Sequence, residues 1–389
     1  AAAQARILLG DMPDSIELWC SGNIVKNVKG VIVPNSGGMR GIEAAACLGV
    51  LAGGKSDICD LEVLSSVESS DIEEAQRLLS QGFCLCHLKE DTPNLYIKVS
   101  AKAEGHEAQI TVKDGHTNIT SKILDGEVLS SASSASAGTK SEDPRNSLSV
   151  KEILNFADAL TENDGESIFA SQVEANTAIA VGQTLLKRGD RSLRTRAVAK
   201  AAAGSDARMN GCTMPVVINS GSGNQGITVT VPVVEYAREM NIDKAMLYKA
   251  LSISNLISIH IKHHIGKLSA FCGAVSASCG SAAAIAYLEG ADYRQICHTI
   301  SNTLGNVGGI VCDGAKASCA AKIASSLEAA FLGYDMAKDD LCFRSGEGFV
   351  EEDIEETIDN MGKIGKYGMK STDKEILHLM LGHKDYICD

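Results

Sequence analysis

Cys279, in Ser-Ala-Ser-Cys-Gly-Ser, and the pair Cys312 and Cys319, in Val-Cys-Asp-Gly-Ala-Lys-Ala-Ser-Cys-Ala, have the setting of metal ligands. Each stands where a Gly or Asp-Gly turn meets an alanine-rich run, so each is expected at or near a helix N-terminus. Amide N–H groups and the helix dipole favour thiolate there. Three thiolates facing one point cannot all pair as disulfides, and three protein ligands leave a coordination position open for catalysis. Cys312 and Cys319 are seven residues apart, two helical turns, but Asp313-Gly314 predicts a turn that leaves Cys312 on a loop and Cys319 inside the next helix. No C-x-x-C knuckle accompanies them. Cysteine is also among the commonest buried residues, so spacing alone leaves an inert core thiol as the alternative at each position.

A second polar group is the glycine-dense loop Asn219-Ser220-Gly221-Ser222-Gly223-Asn224-Gln225-Gly226, after the apolar run Met214 to Ile218. It contains G-x-G-x-x-G. A dinucleotide site needs a helix to open at once within a βαβ unit, whereas Ile-Thr-Val-Thr-Val-Pro follows here and the surroundings read as helical. What remains is a nest of N–H groups, hydroxyls and amides suited to a carboxylate, with a plain tight turn as the alternative. Ser21-Gly22-Asn23-Ile24-Val25-Lys26-Asn27 and Pro34-Asn35-Ser36-Gly37-Gly38-Met39-Arg40-Gly41 place amides and cations between glycines, where they suit a second carboxylate face, an interdomain cleft or ordinary loops.

His260 and His264 stand at i and i+4, but the zincin pattern needs Glu after its first His and Ile261 is there instead. A partly exposed helix face carrying Lys262 and Lys267 is the expectation. Cys84 and Cys86 belong to one face of a strand with His87 opposite, and read as structural.

The elements that position these residues fall into two halves. Alternating stretches at Asp14 to Cys20, Leu95 to Ala103, Ala108 to Val112 and Asn118 to Ile123, with helical Ile42 to Leu51 and Asp71 to Gln81, predict a mixed α/β domain over 1–148. The Ser/Ala/Gly stretch within Leu129 to Leu148 is the expected linker. Ser149 opens a capping box, Ser-Val-Lys-Glu, and helical patterns recur through Ala157, Ala175 to Lys187, Arg191 to Ala203, Val234 to Ser254 and Ala282 to Glu289. The fold class is therefore α+β, with a largely α-helical domain over 149–389. Only 4% of residues are aromatic while Ala and Gly abound, which predicts closely packed helices.

Net charge is -13 with no Lys/Arg block, so neither nucleic acid nor an anionic membrane is expected as a partner. A small metabolite fits better. Thirteen cysteines without a pairing pattern read as reduced thiols in the cytoplasm. Ala-Ala-Ala-Gln-Ala-Arg-Ile-Leu-Leu-Gly reads as the last turns of a helix ending at Gly10, so further sequence is expected upstream.

With these residues assembled, the chain resembles the cysteine desulfidase family, serine dehydratase-like proteins related to the catalytic domain of iron-sulfur L-serine dehydratases. The blocks that carry the resemblance are Ser-Gly-Asn-Ile-Val-Lys-Asn, Pro-Asn-Ser-Gly-Gly-Met-Arg-Gly, Asp-Ala-Arg-Met-Asn-Gly-Cys, Asn-Ser-Gly-Ser-Gly-Asn-Gln-Gly, Gly-Lys-Leu-Ser-Ala-Phe-Cys-Gly and Cys-Asp-Gly-Ala-Lys-Ala-Ser-Cys. It implies a lyase with a 4Fe-4S cluster on three cysteines, matched to Cys279, Cys312 and Cys319, and a fourth iron open to substrate. The implied reaction is β-elimination of sulfide from L-cysteine, or of water from L-serine. It also implies that Ser220, Ser222 and Asn224 bind the substrate carboxylate, with Asn23 and Lys26 as further candidates. A silent amino-acid-binding protein on the same scaffold is the reading from another class. The expected partner is a small amino acid, and a homodimer is left open. The family's base is a cysteine in a Gly-Cys-Thr-Glu-Pro-like segment, which is expected to lie upstream of Ala1. Cys212, in Gly-Cys-Thr-Met-Pro, belongs to another block and does not inherit that role, and Cys20 is a minor candidate.

Overall fold

The computed structural model describes residues 1–53, 61–131, 143–180, 192–266 and 269–382. Within the first half, β1 (Ser15–Cys20), β2 (Cys84–Leu88), β3 (Tyr96–Ala103), β4 (His106–Lys113), β5 (Ile119–Leu124) and β6 (Glu127–Ser131) form one sheet in the order β2-β1-β3-β4-β5-β6. β1 runs parallel to β2 and antiparallel to β3, and the remaining pairs are antiparallel. Period-two alternation sends Ile16, Leu18 and Cys20 of β1, and Ala108, Ile110 and Val112 of β4, to one buried face. Helices α1 (Ala2–Leu9) and α3 (Gly41–Ala52) pack against the sheet, while α4 (Ser69–Ser80) packs on α3. Short α2 (Gly22–Val28) follows β1 directly and carries Asn23, Lys26 and Asn27. Cys84 and Cys86 are buried on one face of β2, and His87 on the other stacks on Trp19.

The second half is helical: α5 (Val150–Ala159), α6 (Glu162–Ile179), α7 (Leu193–Met209), α8 (Gly223–Glu239), α9 (Lys244–Ile265), α10 (Gly273–Leu288), α11 (Tyr293–Val307), α12 (Cys319–Lys338), α13 (Ile354–Lys363) and α14 (Lys370–Leu381). The α+β expectation therefore holds. No helix among the described residues is long and apolar enough to cross a membrane. Most of the expected linker, residues 132–142, lies outside the described residues, as do 181–191, where the Ala175 to Lys187 helix was expected to end, and Lys267.

Two expectations are corrected. Val234 to Ser254 is not one helix, because α8 ends at Glu239 and Asp243 opens α9 by accepting from Met246 N at 2.8 Å. And the β-branched run Ile227 to Val234 is helical from Gly223 onward, with Pro232 inside α8. Burial overrides propensity: Gln225 to Ala237 are all buried. Proline has no N–H for the carbonyl four residues earlier, that of Thr228. Ser281 Oγ of α10 donates to that carbonyl at 2.5 Å, and Ser254 Oγ of α9 donates to Val229 O at 2.7 Å, so no backbone acceptor is orphaned.

α10 is the centre of this half, packed by α8, α9, α11 and α12. Its sequence is mostly Ala, Ser and Gly, which lets those neighbours approach closely. α14 leaves the helical half, and Leu377 and Leu381 join the core beneath the sheet. A Cβ at Gly280 of α10 would lie 2.2 Å from Ser254 O. That neighbour is backbone and cannot yield, so overpacking should exceed the ~1 kcal/mol that alanine gains in helix propensity. Gly280→Ala is therefore expected to lower unfolding stability in urea by about 1–3 kcal/mol. An unchanged midpoint would show that α9 and α10 are free to separate.

Candidate active site

The helical core meets α2 at a cavity of about 110 Å³ whose walls include Cys272, Cys312 and Cys319. A short antiparallel bridge brings the first two thiols together. Phe271 bridges Val311, Cys272 N donates to Ile310 O at 3.0 Å, and Cys312 N donates to Ala270 O at 2.6 Å. Cys272 is the N-cap of α10 and Cys319 the first residue of α12, with Cys312 on the loop between α11 and α12. Gly314 makes the turn after Cys312 at φ +94°, and a Cβ there would lie 2.2 Å from Lys26 O. Only glycine fits both demands.

Cys279, expected as the third thiol, lies elsewhere. It is two helical turns inside α10 from Cys272 and fully buried in the apolar core. Burial pushes its thiol far above the usual range. Cys272 takes its place at the cavity. The local sequence does not separate the two, since Cys272 precedes Gly273 and Cys279 precedes Gly280 alike, and the start of α10 decides between them.

The dipole expected to favour thiolate is outweighed. Cys272 is raised to about 11, first by burial and then by Cys312, with the amide of Ala274 opposing only in part. Burial likewise raises Cys319, ahead of the amide of Lys316, with Cys312 adding to the rise. Burial and neighbouring thiols both oppose ionisation of Cys272 and Cys319, so a cationic centre in the cavity is what would stabilise them as thiolates.

The polar loop forms the facing wall. Ser220 (φ 49°) and Gly221 (φ 81°) are the left-handed centre of a two-residue turn closed by Asn219 N to Ser222 O at 3.1 Å and Ser222 N to Asn219 O at 2.9 Å. Ser222 then caps α8, accepting from Gln225 N at 3.4 Å. Ser220, Ser222 and Asn224 all line the cavity, as do Gln225 and Asn27. Asn219 fixes the loop from behind, donating to Asn255 Oδ1 at 3.0 Å and accepting from Ser258 Oγ at 3.0 Å. A helix does open at once after the glycines, contrary to expectation, yet no βαβ unit surrounds it. Gly226 is explained by packing: a Cβ there would sit 1.9 Å from Val217 O.

Residues 60–378 match the serine dehydratase alpha chain family. The chain belongs to this family. Similar proteins include a UPF0597 protein of Desulfitobacterium hafniense, 45% identical over 98% of this chain and 90% of the relative. Others are UPF0597 proteins of Finegoldia magna, 44% identical over 98% of this chain and 93% of the relative, and of Treponema denticola, 43% identical over 98% and 92%. Within this member of the serine dehydratase alpha chain family, the matched span contains the three cavity thiols and the 219–226 loop, while α2 precedes it.

Asn23 and Lys26, expected to touch substrate, do not line the cavity. They brace it. Lys26, 1% exposed, is paired with Asp373 Oδ1 of α14, and its ammonium also donates to Cys312 O at 3.3 Å and Ser269 O at 3.4 Å. Asn23 Nδ2 donates to Asp373 Oδ2 at 2.9 Å. Lys262, expected on a partly exposed face, is buried and lines the cavity. Desolvation pulls it down to about 8 against the opposing pull of Cys312 and Cys272. Its neighbours on α9 are also structural: buried His260 meets Glu355 Oε2 of α13 at 2.6 Å, and His264 meets Asp359 Oδ1 at 3.3 Å. Among the described residues no three His, Cys, Asp or Glu side chains converge closely enough to hold a single metal ion.

The Lys26–Asp373 pair is unequal, because Asp373 retains 20% exposure while Lys26 is sealed. Asp373→Asn strands a buried ammonium and should cost about 3–5 kcal/mol in urea unfolding. Lys26→Met should cost less, since the carboxylate can take water. The reverse order would show that the ammonium is not the desolvated partner.

Proposed function

We propose that the chain is an iron-sulfur lyase that eliminates sulfide from L-cysteine, with Cys272, Cys312 and Cys319 as ligands of a 4Fe-4S cluster. The observation that carries this is the three thiols lining one cavity opposite the 219–226 loop, in a chain of the serine dehydratase alpha chain family. A 4Fe-4S cluster takes each thiolate on a separate iron, and three thiols on one cavity wall are the donor set it needs. All eleven described cysteines are free, which supports a reducing compartment such as the cytoplasm.

When bound, the cluster supplies a Lewis acid for the β-leaving group. The chain's part is to hold the substrate. Ser220, Ser222 and Asn224 present hydroxyls and an amide at the N-terminus of α8, suited to a carboxylate. Removal of the α-proton with departure of SH gives aminoacrylate, which water converts to pyruvate and ammonia. No described residue is assigned as the base. The family description favours a second reading, L-serine losing water in the same geometry.

Anaerobic reconstitution with iron and sulfide should give protein that releases pyruvate and sulfide in equal amounts from L-cysteine, with higher kcat/KM than for L-serine. Cys272→Ala, Cys312→Ala and Cys319→Ala should each lose bound iron and turnover, whereas Cys279→Ala should retain iron. Preference for L-serine would favour the second reading, amino-acid binding without turnover would favour a silent binder, and iron loss in Cys279→Ala with retention in Cys272→Ala would overturn the ligand set.

A further inference from the structure

Two buried polar groups on the cavity wall have no hydrogen-bond partner among the described residues, and their chemistry is complementary. Lys262 is 4% exposed and lines the cavity, yet its ammonium makes no hydrogen bond or ion pair with any described residue. Lys26, about as deeply buried, shows what the fold does with a structural lysine: it supplies a carboxylate and two carbonyls. An ammonium withdrawn from water without such partners costs several kcal/mol, and Asp373, Cys312 and Cys272 act on Lys262 without pairing with it, so it lacks a directly bound anion. Gln225 is 6% exposed, and its Oε1 is buried without a donor. Its amide cannot swing away easily, because it is packed over Gly273, where even a Cβ would come within 2.5 Å. That oxygen lacks a donor.

We propose that Lys262 and Gln225 recognise the two charged ends of a zwitterionic α-amino acid, Lys262 Nζ taking the carboxylate and Gln225 Oε1 the ammonium. This rests on the cavity being the substrate site of the lyase proposed above, but both groups belong to the chain itself and need no cluster. The alanine-sized backbone of the substrate then bridges α9 and α8, and its β-substituent is directed by two fixed ends. The serine and asparagine groups of the 219–226 loop supply further donors to the carboxylate, so Lys262 sets charge preference and the loop sets orientation.

The test uses the metal-free full chain and calorimetric titration with L-alanine, which has no β-leaving group, against L-alaninamide and propionate, each lacking one charged end. Wild-type protein is expected to bind L-alanine about tenfold or more tightly than either analogue. Lys262→Met should bind L-alanine and L-alaninamide alike, Gln225→Met should lose the preference over propionate, and Lys262→Arg should restore part of the carboxylate preference. Removing an unpartnered buried charge should also raise the thermal midpoint of Lys262→Met, which separates loss of binding from loss of folding. An unchanged carboxylate preference in Lys262→Met, or no L-alanine binding by the wild type, overturns the proposal. So does a Lys262→Met protein that binds L-alanine normally but no longer takes up iron, since the ammonium would then serve the cluster alone. Failure of iron loading in wild type with these preferences intact would sink the iron-sulfur reading and leave this one standing.

Discussion

The site depends on one small backbone pairing, residues 270–272 against 310–312. It joins the loop after α9 to the loop after α11, and so sets where α10 begins and where the chain must turn toward α12. Cys272 and Cys312 take their positions from it, and Cys319 follows once Gly314 has turned the chain. The pairing is secured from outside the helical core. Lys26 donates to the carbonyls of Ser269 and Cys312, one on each side of the bridge, and Asp373 of α14 holds Lys26. Two distant stretches of chain thereby brace the loops that carry the thiols.

Close packing is the second constraint. α10 is built of residues small enough for α9 to approach within backbone contact at Gly280, and the same closeness lets Ser281 reach the Thr228 carbonyl that Pro232 leaves without a donor and Ser254 reach Val229 O. A proline and a β-branched run are tolerated in α8 because its neighbours complete the hydrogen bonding. This ties the rigidity of the loop before α8 to packing well behind the cavity.

β1 and β4 were legible in the sequence because each buries one face, as Ile16, Leu18 and Cys20 do, whereas β6, exposed at Val128 and Leu129, runs into the stretch expected as a linker. The polar loop was legible too, since glycines, hydroxyls and amides have few other uses together. α8 was not, because helix propensity says nothing of the hydroxyls that α9 and α10 supply. Cys279 and Cys272 occupy the same helix two turns apart, and only the three-dimensional start of α10 tells which faces the cavity. Lys262 misled for a related reason: α9 is surrounded on most sides, so His260 and Lys262 are buried while His263 and His264 stay half-buried. Asn23 and Lys26 are held by Asp373, a contact that a sequence cannot show because Asp373 lies far along the chain.

Lys26 and Asp373, which brace the cavity, are paired with each other, while Lys262 and Gln225 Oε1 face into it without a hydrogen-bond partner among the described residues. The membership of the thiol set is the point on which the functional reading turns. Anaerobic alkylation followed by peptide mass spectrometry, with and without iron-sulfide loading, addresses it most directly. Loading is expected to protect Cys272, Cys312 and Cys319 together while half-buried Cys212, Cys297 and Cys342 react equally in both states. Alkylation of Cys272 at the same rate with iron as without would contradict it.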